Sequence, residues 1–450
     1  MIPFNNRGSR DNRTTNETCV LVGLDLRSRK GAGASEALLE SYTAQDSLAE
    51  LAELADSAGA EVVGRMIQVR DQLDPATLIG SGKVEEVKGW AAQQDADFVL
   101  FDQNLSPSQQ RNLEKALERR VLDRTQLILD IFARHARTRE GKLQVELAQL
   151  NYLLPRLAGR GVQMSRLGGG IGTRGPGETQ LETDRRRIGQ RIDKLKENLK
   201  KVRSTRDLQR KKRTAVPLAT LALAGYTNAG KSTLFNALTD SHVLAEKRMF
   251  ATLDPTIRVL ELPSRRHVLM SDTVGFIRGL PTTLVQAFRA TLEEVTQASM
   301  ILHVVDISSP GRREQMREVD TLLKELDAAD TPQILVLNKA DLIDAAEAKA
   351  ILEAERGAGG RAAVVAISSV TGQGFEELRQ VIEDTLPADP LRQMTYRFGH
   401  GQGERLNFLY THARILERKD EPTGVLVTAE APESVRVLLT DYEASEASIP

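Results

Sequence analysis

The sequence predicts an α/β protein in three parts: an N-terminal α/β unit carrying a long antiparallel helical hairpin, a phosphate-loop (P-loop) domain on a mostly parallel sheet, and a small α+β domain at the C-terminus. Three observations carry this. Short apolar runs alternate with helical stretches from residue 19 to 137. Two segments with apolar residues spaced three and four apart then follow in succession. Finally, Gly225-Tyr-Thr-Asn-Ala-Gly-Lys-Ser-Thr233 lies between the apolar run 217–224 and Leu234-Phe-Asn-Ala-Leu238, the strand-to-helix setting that a G-x-x-x-x-G-K-[ST] loop requires.

The length of 450 residues suggests about three domains. The boundaries expected are a disordered 1–18, an α/β subdomain 19–137, a hairpin 138–214, a P-loop domain 215–386 and a tail domain 387–450. With 40% hydrophobic and 27% charged residues, the chain is long enough to bury several cores. Its single cysteine, Cys19, excludes an internal disulfide and suits a reducing compartment. The first eighteen residues lack the apolar core of a signal peptide, and no run is long enough to cross a membrane. A cytoplasmic protein is therefore expected, with peripheral membrane attachment left open. The six histidines show no metal-ligand spacing. A net charge of −1 says nothing about nucleic acid; the distribution of charge does.

Taken in order, Cys19–Leu24 reads as a strand, Ser47–Ser57 as a helix ended by Gly59, and Glu61–Val69 as a strand. Lys83–Ala92 reads as a helix and Asp97–Phe101 as a strand, while Ser106-Pro107 opens a further helix with cap and proline in their favoured places. Gly80-Ser-Gly-Lys83 is either an anion-binding helix start or a plain turn. In the hairpin, Leu143, Leu147, Leu150 and Leu154 mark one buried seam, and Leu181, Ile188, Ile192, Leu195, Leu199 and Val202 mark the other. From Arg185 to Arg213 the second helix carries fourteen Lys/Arg against three Asp/Glu. Between the helices lies the glycine-rich run 159–177 with Arg160, Arg166 and Arg174, a pliable basic segment suited to RNA phosphates. The alternative is a solvated charged face joined to a flexible connector.

The P-loop domain carries a set of motifs in one order. Gly225 and Gly230 let the backbone of Gly225, Tyr226, Thr227, Asn228, Ala229, Gly230, Lys231, Ser232 and Thr233 curl its N–H groups toward one anion. Lys231 is expected at the β- and γ-phosphates, and Ser232 at magnesium. In Phe250-Ala251-Thr252-Leu253-Asp254, Thr252 is the candidate threonine that closes on magnesium, with Thr256 as alternative. A strand ending in Asp272-Thr273-Val274-Gly275 supplies a carboxylate for magnesium through water and an amide for the third phosphate. A buried strand ending in Asn338-Lys339-Ala-Asp341 lets the Asp341 carboxylate accept two N–H groups that guanine has and adenine lacks. Ser368 and Ser369 complete the base site. Together they predict GTP and GDP as ligands, magnesium as cofactor, and Lys231, Thr252, Asp272 and Gly275 as the catalytic set. Phe276 stands where many GTPases carry a water-orienting glutamine, so a slow free enzyme is expected. Asn228 is either a ligand for potassium, a second candidate cofactor, or a tolerant turn residue.

Outside the motifs, Asp123-Arg-Thr-Gln-Leu-Ile-Leu-Asp-Ile-Phe132, Gly141-Lys-Leu-Gln-Val-Glu-Leu-Ala148 and Gly170-Ile-Gly-Thr-Arg-Gly-Pro-Gly-Glu-Thr-Gln-Leu-Glu-Thr-Asp-Arg-Arg186 resemble the HflX family of ribosome-associated P-loop GTPases, from about residue 19 to 440. The resemblance implies a cytosolic GTPase that binds the large ribosomal subunit, is stimulated by it, and separates stalled or idle ribosomes under stress. It also implies that the hairpin tip reaches ribosomal RNA near the peptidyl-transfer region. The free chain is expected to be a monomer. Two other readings stand beside this one: a regulatory switch acting on a protein effector, and a nucleotide-dependent RNA-remodelling factor.

Overall fold

A computed structural model describes residues 16–26, 43–157, 176–213, 218–239, 250, 256–273, 275–278 and 294–444, with backbone alone for 176–181, 203 and 205–213. Of the expected disordered segment 1–18, residues 1–15 lie outside the described residues, but Glu17 and Thr18 already belong to the first strand; of the glycine-rich run 159–177, residues 159–175 lie outside them and 176–177 begin a helix. The described residues fall in two compact units: the chain up to 134 with 149–188, and 135–148 with 189 onward.

The first unit is a parallel sheet with alternating helices: β1 (Glu17–Leu26), α1 (Ala44–Ser57), β2 (Ala60–Arg70), α2 (Ser81–Gln93), β3 (Phe98–Phe101), α3 (Pro107–Leu117), β4 (Arg120–Asp123) and α4 (Arg124–His135). The strand order is β2-β1-β3-β4, all parallel. Helix starts follow local chemistry. Thr43 and Asp46 form a capping box before α1, and Ser106 and Gln109 form one before α3, with Pro107 at the first helical position. The four-residue β4 has no counterpart in the sequence reading, because its Arg120 and Asp123 flank only two apolar residues and hide the run. Cys19 lies in the core, and burial pushes its thiol pKa up to about 12, so it is an inert thiol.

At the carboxyl ends of these strands sits a buried ionic cluster. Arg124 donates to Asp102 at 2.8 Å and to Glu50, and all three are nearly inaccessible. Fully buried Asp123 accepts from the Leu105 and Gln126 amides (3.1 and 2.9 Å), the Tyr152 hydroxyl (2.8 Å) and Arg156 Nη2 (3.2 Å). The Arg156 guanidinium also lies 3.4 Å from the centre of the Tyr152 ring.

The two hairpin helices are α5 (Arg139–Leu153) and α6 (Pro176–Arg213), bridged by Arg191 and Glu146 at 2.7 Å. The expected seam of α6 is present, with Ile192, Leu195 and Leu199 buried. The seam of α5 needs correction. Leu143, Leu147, Leu150 and Leu154 are only half-buried, and the buried face is Gly141, Gln144, Val145 and Ala148. A three-and-four spacing shows that a helix has a buried face but does not decide which of two overlapping rows turns inward. A 3-10 turn (Leu154–Leu157) follows α5, because Pro155 lacks an N–H to continue the helix.

The second unit contains β5 (Thr220–Gly225), α7 (Lys231–Thr239), β6 (Thr256–Glu261), β7 (His267–Asp272), β8 (Met300–Asp306), α8 (Arg312–Glu325), β9 (Gln333–Asn338), α9 (Ala345–Ala358), β10 (Ala363–Ala366) and α10 (Phe375–Thr385). The order is β10-β9-β8-β5-β7-β6, parallel except for the β6–β7 edge. Strand β5 is buried on both faces. Leu221 and Leu223 enter one apolar layer with Leu234 and Phe235, and Ala222 and Ala224 enter another with Phe276 and Val319. Strand order reverses between β5 and β8, which puts the P-loop in the crevice where such sheets bind ligands. The tail is an antiparallel sheet of β11 (Leu391–Gly399), β12 (Arg414–Glu421) and β13 (Gly424–Pro432), ordered β11-β13-β12, with α11 (Gly403–His412) and α12 (Glu433–Leu438).

Arg124→Ala leaves two buried carboxylates facing each other without their cation, which costs about 3–5 kcal/mol. The lone tryptophan, Trp90, is in this unit, so urea unfolding followed by its fluorescence should show that loss as a lower midpoint. An unchanged midpoint would remove the cluster from the stability of the unit.

Candidate guanine-nucleotide site

The loop begins where β5 ends and closes at the first residue of α7. Its left-handed backbone explains its residue types. Gly225 has φ +154° and a Cβ there would stand 2.2 Å from the Val304 oxygen; Gly230 has φ +93° and its Cβ would stand 2.2 Å from Asn338 Nδ2. Asn228 has φ +61° and is exposed, and asparagine tolerates that conformation. The loop therefore curls tightly at two places where no side chain fits.

Lys231 is buried and donates to its own loop, to the Gly225 carbonyl at 3.0 Å and the Tyr226 carbonyl at 2.7 Å. Burial lowers its pKa to about 8, against the opposing pull of the Asp272 carboxylate. Ser232 Oγ donates to Asp272 Oδ2 at 2.7 Å, so a hydroxyl and a carboxylate converge at the start of α7. Such hard oxygen donors fit magnesium. Thr273 donates to the Leu223 carbonyl at 2.5 Å and ties this strand end to β5. A Cβ on Gly275 would meet Thr227 Cγ2 at 2.9 Å and Lys231 Nζ at 3.1 Å, so Gly275 is pressed against the lysine.

Asn338 links the base loops to the phosphate loop. Its Nδ2 donates to the Ala229 carbonyl at 2.8 Å, while its Oδ1 accepts from the Ser369 amide (3.0 Å) and hydroxyl (2.8 Å). Ser368 is buried and accepts from the Thr371 amide at 3.1 Å. Lys339 has left-handed φ of +65°, and its ammonium pairs with Asp306 at 2.7 Å. Asp306 also accepts from the Ser308 amide (3.0 Å) and hydroxyl (2.6 Å). Asp306 and Ser308 escaped the sequence reading, since an aspartate at a strand end looks like an ordinary turn residue. Asp341 is exposed on a 3-10 turn.

The structure thus brings together Gly225 to Ser232, with Asp272, Gly275, Asn338 and Ser369. Thr233 follows in α7, and Phe250 is buried with left-handed φ of +60°. Thr256 opens β6 opposite Asp272. Ala251, Thr252, Leu253, Asp254 and Val274 lie outside the described residues, as do Arg160, Arg166 and Arg174. Phe276, only 3% exposed, packs in the apolar layer with Ala222, Ala224 and Val319. Among the described residues no group of three or more His, Cys, Asp or Glu could hold a metal by itself, and no helix is long and apolar enough to cross a membrane.

The lysine sets a pH dependence. A phosphate bound at Lys231 would favour the protonated ammonium and raise its pKa, so binding would take up a proton once pH exceeds about 8. Affinity for GDP should be flat from about pH 7 to 8 and then fall by up to roughly tenfold per pH unit toward pH 9. Titration with a fluorescent GDP across that range checks this, and constant affinity up to pH 9 would overturn it.

Comparison with known proteins agrees with this geometry. Residues 45–133 match a family model described as GTP-binding GTPase N-terminal, 135–213 one described as GTP-binding GTPase Middle Region, and 220–339 one described as 50S ribosome-binding GTPase. The GTPase HflX of Caldanaerobacter subterraneus is 44% identical over 90% of this chain and 92% of its own length. That of Escherichia coli K12 is 42% identical over 90% and 95%, and that of Alkalihalophilus pseudofirmus 55% over 66% and 70%. A phosphate loop at the sheet crevice, loops linked through Asn338 and two relatives matched over more than nine-tenths of their length lead to one conclusion: the chain belongs to the HflX family of GTPases.

Proposed function

We propose that this GTPase binds the large ribosomal subunit in the cytoplasm and, under stress, remodels or dissociates ribosomes. The observation that carries the reading is the basic helix α6, which precedes the GTPase strand β5 in sequence and has Arg185, Arg186, Arg187, Lys194, Lys196 and Lys200 exposed. A row of cations at this spacing supplies sequence-independent attraction to RNA phosphates. The match to a 50S ribosome-binding GTPase model supports the same partner.

In this reading the amides of Gly225–Thr233 and the Lys231 ammonium hold the phosphates, and Asp341 accepts from the guanine edge. Ser232 and Thr252 would hold magnesium, with Asp272 acting through a water; when bound, that ion neutralises phosphate charge. The Gly275 amide senses the third phosphate. Phe276 offers no side-chain polar atom and is buried, so nothing at that position orients the attacking water. The free rate is therefore low, and a partner that completes the site raises it by roughly 10³ to 10⁵. Arg160, Arg166 and Arg174 at the hairpin tip are the proposed RNA contacts. Asn228 is the proposed ligand of a potassium ion beside the phosphates.

Two measurements test this. Pelleting with purified large subunits in a non-hydrolysable GTP analogue should show binding whose log affinity falls linearly with log salt. Replacing Arg160, Arg166 and Arg174 by alanine should flatten that slope by about one unit for each phosphate left without its arginine, with GTP affinity intact. An unchanged slope and affinity would remove the tip from the interface. Separately, potassium in place of sodium should accelerate hydrolysis in the parent and leave Asn228→Ala unaffected; equal parent rates in the two salts would remove Asn228 from the mechanism.

A further inference from the structure

The segment after Gly275 is fastened to the phosphate loop by three hydrogen bonds. The Phe276 amide donates to the Gly225 carbonyl at 3.1 Å, and the Phe276 carbonyl accepts from the Thr227 amide at 2.7 Å. Tyr226 and Phe276 are thereby partners in a short parallel bridge. Two residues on, the Arg278 amide donates to the Tyr226 hydroxyl at 2.8 Å. Tyr226 is only 5% exposed and Arg278 is half-buried, so this bond is partly sheltered from water. The main-chain roles of a phosphate loop need no side chain at this position, yet the tyrosine spends its phenol on the segment that follows Gly275.

We propose that Tyr226 is a positioning residue for the third phosphate. Its hydroxyl holds residues 276–278 against the loop, so the Gly275 backbone is kept close to Lys231 before GTP arrives. The local geometry already leaves Gly275 no slack, with Thr227 and Lys231 Nζ within 3.1 Å of where a Cβ would be. An amide fixed in advance loses little freedom when its ligand binds, and that advantage reaches GTP but not GDP, which lacks the group it meets. The inference rests on the assignment of residues 225–233 and 272–275 to the phosphates made above.

Tyr226→Phe removes the phenolic oxygen and keeps the ring. Affinity for a non-hydrolysable GTP analogue should fall about three- to tenfold, the range expected for one neutral hydrogen bond, while affinity for GDP changes by less than about twofold. The Arg278 amide should exchange its hydrogen slowly in the parent and faster in the variant. Equal weakening toward both nucleotides would show a merely structural tyrosine and overturn the proposal, as would no change toward either. Fast exchange of the Arg278 amide in the parent would overturn it independently of any variant. If the parent itself bound neither nucleotide, the phosphate-loop assignment would fail and the positioning role with it.

Discussion

One side-chain amide organises the nucleotide site. Asn338 stands at the end of β9 and joins two loops that the chain brings in from far apart, Ala229 from 109 residues upstream and Ser369 from 31 residues downstream. Its main-chain carbonyl also accepts from the Ile307 amide at 2.9 Å, which ties in the end of β8. The Gly230 conformation depends on the same group, since a Cβ there would collide with the asparagine amide. The shape of the phosphate loop and the placement of the base loops are therefore coupled through one buried amide. A change at Asn338 would be felt on both sides of the nucleotide.

The two units handle buried charge at the carboxyl ends of their strands in different ways. In the first, Arg124 is satisfied by Glu50 and Asp102 within the unit, and Asp123 accepts four donors. Charge there is closed off and serves as structure. In the second, Lys231 leans on main-chain carbonyls, and its pKa is depressed by burial. Such an ammonium gains from an arriving phosphate far more than a solvated one would, because the site is already desolvated. The same architecture thus yields a sealed ionic core in one unit and an anion-hungry one in the other.

Phe276 shows how a departure from the common GTPase pattern is absorbed. Its ring joins Ala222, Ala224 and Val319 in the apolar layer, and its backbone pairs with the loop. The residue at the water-orienting position has become an anchor. Among the described residues this position contributes packing and backbone pairing, not a polar group for water.

The sequence by itself determined the motifs, their order and the type of most elements. These are local properties: Gly225 and Gly230 announce left-handed turns, Ser106-Pro107 announces a helix start, and apolar runs announce buried strands. Family membership was legible in the same way, from contiguous runs such as 123–132 and 170–186. Only the tertiary structure decided that Lys339 pairs with Asp306, that the Tyr226 hydroxyl reaches Arg278, that α5 buries Gly141, Val145 and Ala148 rather than its leucines, and that Arg124 sits in an ionic cluster. Each of these joins residues distant in sequence or selects one helix face among two that local spacing allows. A hydrophobic period says that a face is buried; which face wins, and which charge finds which partner, depends on what the rest of the chain packs against it.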